Sequence, residues 1–465
     1  MINFRPITLA DKATIESYTL RSSIRNCDLS FANFYAWQPT YRSAWAEVNG
    51  FLVIRFFIEG GEKIGYMQPI GTDGGLEFSS IIPLLAQDAH LHGDRLRIIG
   101  VTEEGRASLT QIYEGRFAFY SNRDEEDYIY RRESLASLSG KRLQPKRNHV
   151  NQFAKRYSDI GYHYRELTAA DFEACLELDC KWRASRGDCG FGGSDPERSA
   201  MERSFAHFEE LELRGGALFV GEEMVAFTYG SAINGDTFCV HIEKGLTDAV
   251  GCYTVVNKLF AESLPEQYIY VNREEDMGIE GLRRAKLSYY PDHLQVKYNA
   301  IYLHHDESEC RRLWIDVFAD EELFVDEFLT NHYRSSRMLR VATEGDNRYV
   351  SMLHIIEFES EIGRIAYIYG VATDRDYRGL GYARLLLQEA LHIIEEEGFA
   401  AAMLIPGEEW LQGYYAKFGF ANSSKVLFNS NFDFGSGDPN ADISMALWFN
   451  NANSITTEPL ILTLV

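Results

Sequence analysis

Six consecutive residues, Arg378-Gly379-Leu380-Gly381-Tyr382-Ala383, carry the clearest chemistry in the sequence. Glycine lets a backbone turn sharply and approach an anion, and the first turn of a helix leaves several N–H groups unpaired. Here the amides of Leu380, Gly381, Tyr382 and Ala383 would face a phosphate or pyrophosphate. The helix dipole adds about half a positive charge at that end. Arg378 is placed to orient the loop or to touch a phosphate oxygen. Taken alone, the string also fits a plain helix start with no ligand. A second string follows downstream, Tyr414-Tyr415-Ala416-Lys417-Phe418-Gly419-Phe420. A phenol with an ordinary pKa near 10 suits proton donation to a leaving group of similar basicity. On a helix Tyr414 points about 100° away from Tyr415 and is expected in the core.

These strings need a scaffold, and the chain supplies three segments with one rhythm of helix, strands, glycine turn, helix and strand. In the first, a helix over 8–22 is capped by Thr8 or Asp11, and strands over 50–59 and 63–69 meet at Gly60-Gly61. The second has strands over 216–220, 224–233 and 236–243 before Gly251 and a helix over 251–263. The third predicts a continuous helix over 308–330, then strands over 338–344, 348–360 and 363–372. The Gly381 turn opens a helix over 382–397, ended by Gly398. A strand over 399–405, a helix over 408–417 and a last strand over 443–449 complete it. The stretches 185–196 and 429–442 read as loops. The fold class is α/β (α+β): three related units, 1–150, 151–300 and 305–465, each a mixed, mostly antiparallel sheet flanked by helices.

Composition narrows the function. The chain has 465 residues and a formal charge of -23, so as a whole it repels nucleic acid and anionic lipid. Screening within about 10 Å leaves room for one local basic pocket. Seven scattered cysteines include no Cys-x-x-Cys pair, which gives no zinc-ribbon or redox motif and suits a reducing compartment. No metal is expected. The first residues show no signal-peptide pattern, and no stretch approaches the roughly 20 apolar residues that span a bilayer. The expected location is cytoplasmic, with no DNA and no membrane partner.

The two strings together resemble the GNAT superfamily of acyl-CoA-dependent N-acyltransferases. Arg378, Gly381 and Ala383 match its R/Q-x-x-G-x-G/A motif, and Tyr415, Lys417, Gly419 and Phe420 match its later Y-x-K-x-G-F. The resemblance implies acyl transfer from CoA, acetyl-CoA first among donors, to the amine of a small molecule or peptide. By position, Tyr415 is the acid for the departing thiolate. Val371, Thr373, Arg378, Gly379, Leu380, Gly381, Tyr382 and Ala383 hold the cofactor. Relatives often carry an acidic base on the strand before the turn, where this chain reads Ile365-Ala366-Tyr367-Ile368-Tyr369-Gly370. Glu357 or Glu359 on the preceding strand could replace it, and either is also an ordinary solvated strand carboxylate. Glu408 stands where relatives often have asparagine.

Residues 1–300 resemble another family, the C-terminal domain of bacterial phosphatidylglycerol lysyltransferases and its soluble relatives. The matching strings include Asp28-Leu29-Ser30-Phe31-Ala32-Asn33, Lys146-Arg147-Asn148-His149, His241-Ile242-Glu243-Lys244 and Asn272-Arg273-Glu274-Glu275-Asp276-Met277-Gly278. That resemblance implies tandem GNAT-like units and transfer of an aminoacyl group from a charged tRNA. Lys146, Arg147, Arg273, Arg283, Arg284 and Lys286 would then form a pocket for an RNA 3′ end. Alternatively, they pair with Glu243, Glu274, Glu275 and Asp276 in a structural network. The loop after Gly251, Cys252-Tyr253-Thr254, lacks the cofactor motif. Three functions follow: CoA-dependent N-acyl transfer by the last unit, aminoacyl-tRNA-dependent transfer by residues 1–300, or a non-catalytic CoA-binding module.

Overall fold

The computed structural model describes residues 2–72, 74–185, 195–423, 425–435, 442–449 and 459–465. Cys189 and parts of the two expected loops, 185–196 and 429–442, lie outside the described residues. The chain forms two units, Met1–Ile112 with Ser121–Tyr302, and Tyr113–Tyr120 with Leu303–Val465. Among the described residues no helix is long and apolar enough to cross a membrane.

The first unit holds two mixed sheets. One runs Arg5–Pro6, Ala44–Val48, Phe51–Ile58, Lys63–Met67, Arg97–Val101 and Tyr298–Tyr302. Its strands are antiparallel except for Lys63–Met67 beside Arg97–Val101. The other runs His293–Gln295, Asp127–Arg131, Tyr270–Asn272, Thr237–Gly245, Glu223–Ala232, Arg214–Val220 and Tyr162–Glu166. Here Thr237–Gly245 and Tyr270–Asn272 form the parallel pair. The sheets do not divide at residue 150. Asp127–Arg131 crosses into the second sheet and Tyr298–Tyr302 returns to the first. Strand pairing is a long-range choice, and local pattern does not reveal that exchange.

The second unit has one sheet, ordered Ala421–Asn422, Met445–Trp448, Ala401–Leu404, Gly363–Thr373, Tyr349–Ser360, Leu460–Leu464 and Val426–Asn429. Met338–Ala342 also pairs with Tyr349–Ser360. Side chains alternate across a strand. Ile365 and Tyr367 join Trp314 and Phe328 in one buried cluster, whereas Ala366 and Ile368 join Leu386, Leu387 and Tyr415 in another. The single helix expected over 308–330 is two, His305–Phe318 and Glu322–Asn331. Ala319 breaks it at φ 57°, a left-handed conformation costly for alanine. The helix Tyr382–Glu396 ends before Gly398 (φ 73°), as its sequence requires. The strands Val426–Asn429 and Leu460–Leu464, absent from the sequence reading, add an edge.

Candidate functional site

Gly363–Thr373 pairs in parallel with Ala401–Leu404 only as far as Tyr367 opposite Met403. On its other side the register with Tyr349–Ser360 slips between Met352 and His354, so Gly370 and Val371 form a bulge. Bulges bend a strand and re-aim its groups. Gly370 has φ 59°, and a Cβ there would meet the Trp314 ring at 2.9 Å. Only glycine fits. Trp314 in turn donates its Nε1–H to Asp320 at 2.9 Å, in the break between the two helices.

Beyond the bulge the chain enters the turn. The Thr373 hydroxyl lies 2.9 Å from that of Ser351, and Arg378 donates its Nε–H to the Thr373 carbonyl at 3.2 Å. Arg378 thus ties the turn to the strand it leaves. Gly379 and Gly381 adopt φ 81° and 86°, and a Cβ on either would meet nothing within 4 Å. Leu380 between them is 62% exposed. Gly381 is the N-cap of the helix Tyr382–Glu396, whose first amides have no intrahelical partners. The turn has the shape an anion needs.

Tyr415 ends the short helix Leu411–Tyr415 and is 7% exposed. It shares a buried cluster with Ile368, Leu386, Leu387 and Leu404, which places it on the sheet face that carries the Gly381 helix. Burial, with a smaller contribution from Tyr414, pushes its phenol up to about 12. Tyr415 therefore stays protonated across the physiological range. The burial order expected of the pair is reversed: Tyr414 is half-buried and Tyr415 is the buried one.

Glu357 and Glu359 are not brought to this end of the sheet. Their partners across the hairpin are Ala366 and Arg364, near its closed end at Ser360–Gly363, while Ser351 opposite Thr373 marks the turn end. Glu357 accepts from Arg337 at 2.7 Å and Arg364 at 3.1 Å, and Glu359 is exposed. The two guanidiniums hold the Glu357 carboxylate at that end of the hairpin. His354, pushed down to about 3 by burial, is a neutral core residue 3.3 Å from the Cys310 sulfur. The titratable groups around Tyr369 are others. Burial, then Asp320 and Asp433, raise its phenol. Asp320 escaped the sequence reading because the helix break that presents it was read as continuous helix.

In the first unit the corresponding turn is Gly251, the N-cap of Cys252–Ser263 at φ 96°. A Cβ there would lie 3.1 Å from the His149 carbonyl oxygen and 3.4 Å from the Phe153 Cβ. The helix Gln144–Arg156 lies over this turn. The six cations of the expected RNA pocket are mostly engaged. Arg147 donates to the carbonyls of Leu138 and Gly140, Arg283 pairs with Asp276 and Asp124, and Lys286 donates to the carbonyls of Arg273, Glu274 and Glu275. Arg273 binds Glu243 at 2.8 Å through Nη2, and its buried Nη1 has no hydrogen-bond partner. Lys146 lies 3.8 Å above the Tyr289 ring; burial and then Arg273 push it down to about 8. Of the six, Arg273 and Arg283 pair with the expected acids Glu243 and Asp276, while Arg147 and Lys286 are held by backbone carbonyls.

A second cluster draws on Asp28, His241, Glu274 and Glu275 of the quoted strings and adds Lys297, Asp127 and Ser231, which carry no sequence signal. Lys297, 8% exposed, lies 2.9 Å from Asp127, 3.4 Å from Asp28 and 3.6 Å from Glu275. Burial would lower its pKa, but Asp127 and Asp28 outweigh that and hold the ammonium well above its usual value. Glu275 is raised to about 8, by burial first; Lys297 opposes the shift and Asp127 reinforces it. Beside it, His241 bridges Ser231, 2.8 Å from its Nε2, and Glu274, 3.0 Å from its Nδ1. Asp127 and Lys297 lie far apart in the chain and meet through the strand exchange.

The description "phosphatidylglycerol lysyltransferase, C-terminal" belongs to a family model that matches residues 21–301, more than half of the chain. The chain belongs to the phosphatidylglycerol lysyltransferase C-terminal family. A second model, described as an acetyltransferase (GNAT) domain, matches residues 303–422, so this family member also carries a GNAT-type acyltransferase domain. A conserved protein of unknown function from Bacteroides thetaiotaomicron is 43% identical, with 65% of this chain and 100% of that chain covered and a TM-score of 0.62. L-PGS from Bacillus licheniformis is 14% identical over 65% of this chain and 94% of that one, with a TM-score of 0.46. The GNAT family N-acetyltransferase YhbS from Escherichia coli, solved with CoA, is 18% identical over 35% and 86%, with a TM-score of 0.28. A curated relative, an uncharacterized protein of Mycoplasmoides gallisepticum, is 25% identical over 181 residues, 37% of this chain. The chain spans about half the length of that relative, 54%.

Proposed function

We propose that the second unit transfers an acyl group from acyl-CoA, with acetyl-CoA the first donor to test, to the amine of a small molecule or peptide. The observation that carries this reading is the uncovered turn at Gly379 and Gly381, set at the head of a 15-residue helix where two parallel strands part. The amides of Leu380, Gly381, Tyr382 and Ala383 would bind the pyrophosphate, with Arg378 bracing the turn. The bulge at Gly370 and Val371, with Thr373 at its exit, would receive the thioester end of the cofactor. Tyr415 would protonate the departing thiolate, for which a neutral phenol is the right form. Asp320, on the aromatic side of the bulge, is a better-placed acceptor contact than Glu357 or Glu359. The test is thiol release from acetyl-CoA across a panel of small amines and peptides. Turnover on some acceptor that collapses in Tyr415→Phe supports the reading. CoA binding with no thiol release from any acceptor would make the unit a non-catalytic CoA-binding module.

A second reading has a specific observation behind it. Lys146 and the unpartnered Nη1 of Arg273 form a cationic pair in the first unit, which suits a phosphate at the 3′ end of a charged tRNA. Family membership agrees with aminoacyl transfer there. Loss of the amino acid from charged tRNA in the presence of an acceptor, abolished by Arg273→Gln, would support it.

A further inference from the structure

We propose that Cys239, His241 and Glu274 of the first unit form a zinc-binding site. Sγ of Cys239, a ring nitrogen of His241 and a carboxylate oxygen of Glu274 all lie within 4.8 Å of one another. Two of the separations are known closely. Glu274 Oε1 is 3.0 Å from His241 Nδ1 and 3.6 Å from Cys239 Sγ. Tetrahedral zinc with ordinary bond lengths needs about 3.4 Å between nitrogen and oxygen and about 3.6 Å between sulfur and oxygen. One pair already fits, and the other needs a shift of only a few tenths of an ångström.

The backbone is built to hold these atoms together. Cys239 lies on Thr237–Gly245 opposite Asn272, and Glu274 follows two residues after Asn272, where the parallel strands part. Pairing with the neighbouring strand jumps from Tyr229–Ile242 to Gly230–Val240, so His241 is the extra residue of a bulge. That bulge turns the imidazole toward Glu274. It also requires glycine opposite it, since a Cβ on Gly230 would sit 1.8 Å from the Cys239 carbonyl oxygen. The Ser231 hydroxyl, 2.8 Å from His241 Nε2 and 2.7 Å from Ser30 Oγ, fixes the ring from behind. A ring nitrogen held by a neighbour, with the other nitrogen turned inward, is the usual posture of a metal-ligating histidine.

Charge separates this cluster from its neighbour. Cys27, Asp127 and Glu275 also come within ligand spacing of one another, but the Lys297 ammonium lies 2.9 Å from Asp127 and already serves as their cation. Lys297 pairs with Asp28, Asp127 and Glu275, whereas Glu274 faces His241 at 3.0 Å. A dication between them would take the place of that contact. A thiolate, an imidazole and a carboxylate suit zinc over the hard cations magnesium and calcium. Three protein ligands leave a fourth position for water or a substrate oxygen.

The test uses the full chain. Metal content after expression in zinc-supplemented medium should approach one zinc per chain, and fall at least tenfold in Cys239→Ser and His241→Gln but not in Cys27→Ser. The chain stripped with a chelator and titrated with cobalt(II) should develop a thiolate-to-cobalt charge-transfer band. The wild-type spectrum decides the matter even if a variant fails to fold. No stoichiometric zinc and no thiolate band in the wild type overturns the site. So does a band that survives Cys239→Ser or disappears in Cys180→Ser, a change at an exposed cysteine.

Discussion

Gly251 and Gly381 open their helices with nearly the same left-handed backbone, at φ 96° and 86°. One turn lies beneath a helix whose His149 carbonyl oxygen stands 3.1 Å from where a side chain would begin; the other faces nothing within 4 Å. The left-handed glycine start is therefore present twice, and only at Gly381 is the space beside it open. A glycine turn is a permissive feature, and what lies over it decides its use. In the first unit that cover is a helix, and the polar chemistry gathers instead around His241 and Lys297. In the second unit the turn stays bare and a protonated phenol shares its face of the sheet.

Five substitutions test that contrast. The largest effect is expected of Tyr415→Phe, with turnover down about 100-fold or more and affinity for CoA nearly unchanged by calorimetry. Because burial puts this phenol at about 12, wild-type turnover should show no loss of the acid form as pH rises past 10; the donor is lost only on approach to 12. A falling limb centred near 10 would mean that a different phenol is involved. Next, Gly251→Val should destabilise the first unit by at least about 1–2 kcal/mol, since the left-handed backbone alone costs that much and the His149 carbonyl adds a clash. Gly381→Val should cost the second unit only the backbone strain, and urea melts of the two variants would show the difference. Arg378→Gln removes the tie to Thr373 and should weaken CoA about three- to tenfold, in line with a lost hydrogen bond of about 1 kcal/mol, with turnover at saturation little changed. Smallest is Glu357→Gln. It should lower thermal stability by no more than about 1 kcal/mol, as a part-exposed ion pair does, and alter turnover less than about threefold. A collapse of turnover there would restore Glu357 as the base.

The sequence revealed the third unit well. The sequence reading begins it at 305, where the structure's segment starts at Leu303, and the helix Tyr382–Glu396 and its glycine stop follow from short-range pattern. Arg378, Gly381 and Tyr415 were visible for the same reason, since each sits in a local string with its own mechanism. Glu357 lies away from the turn through the register of the hairpin, which sends it to Arg337 and is not written in the strand itself. Asp320 was hidden by Ala319, whose left-handed conformation no propensity anticipates. In the first three hundred residues the rhythm of tandem units was legible and their membership was not. The exchange of Asp127–Arg131 and Tyr298–Tyr302 between sheets is what carries Asp127 to Lys297, and it depends on pairings more than a hundred residues apart. The Cys239, His241 and Glu274 group fails every spacing rule for a metal motif, because a bulge and a neighbouring strand bring it together.

The most direct test of the contrast is a calorimetric titration of CoA into the wild-type chain and into Gly381→Val and Gly251→Ala. One molecule bound per chain, lost in Gly381→Val and kept in Gly251→Ala, is the expected result. Binding that survives Gly381→Val, or that is lost only in Gly251→Ala, would place the cofactor at the covered turn and contradict the assignment.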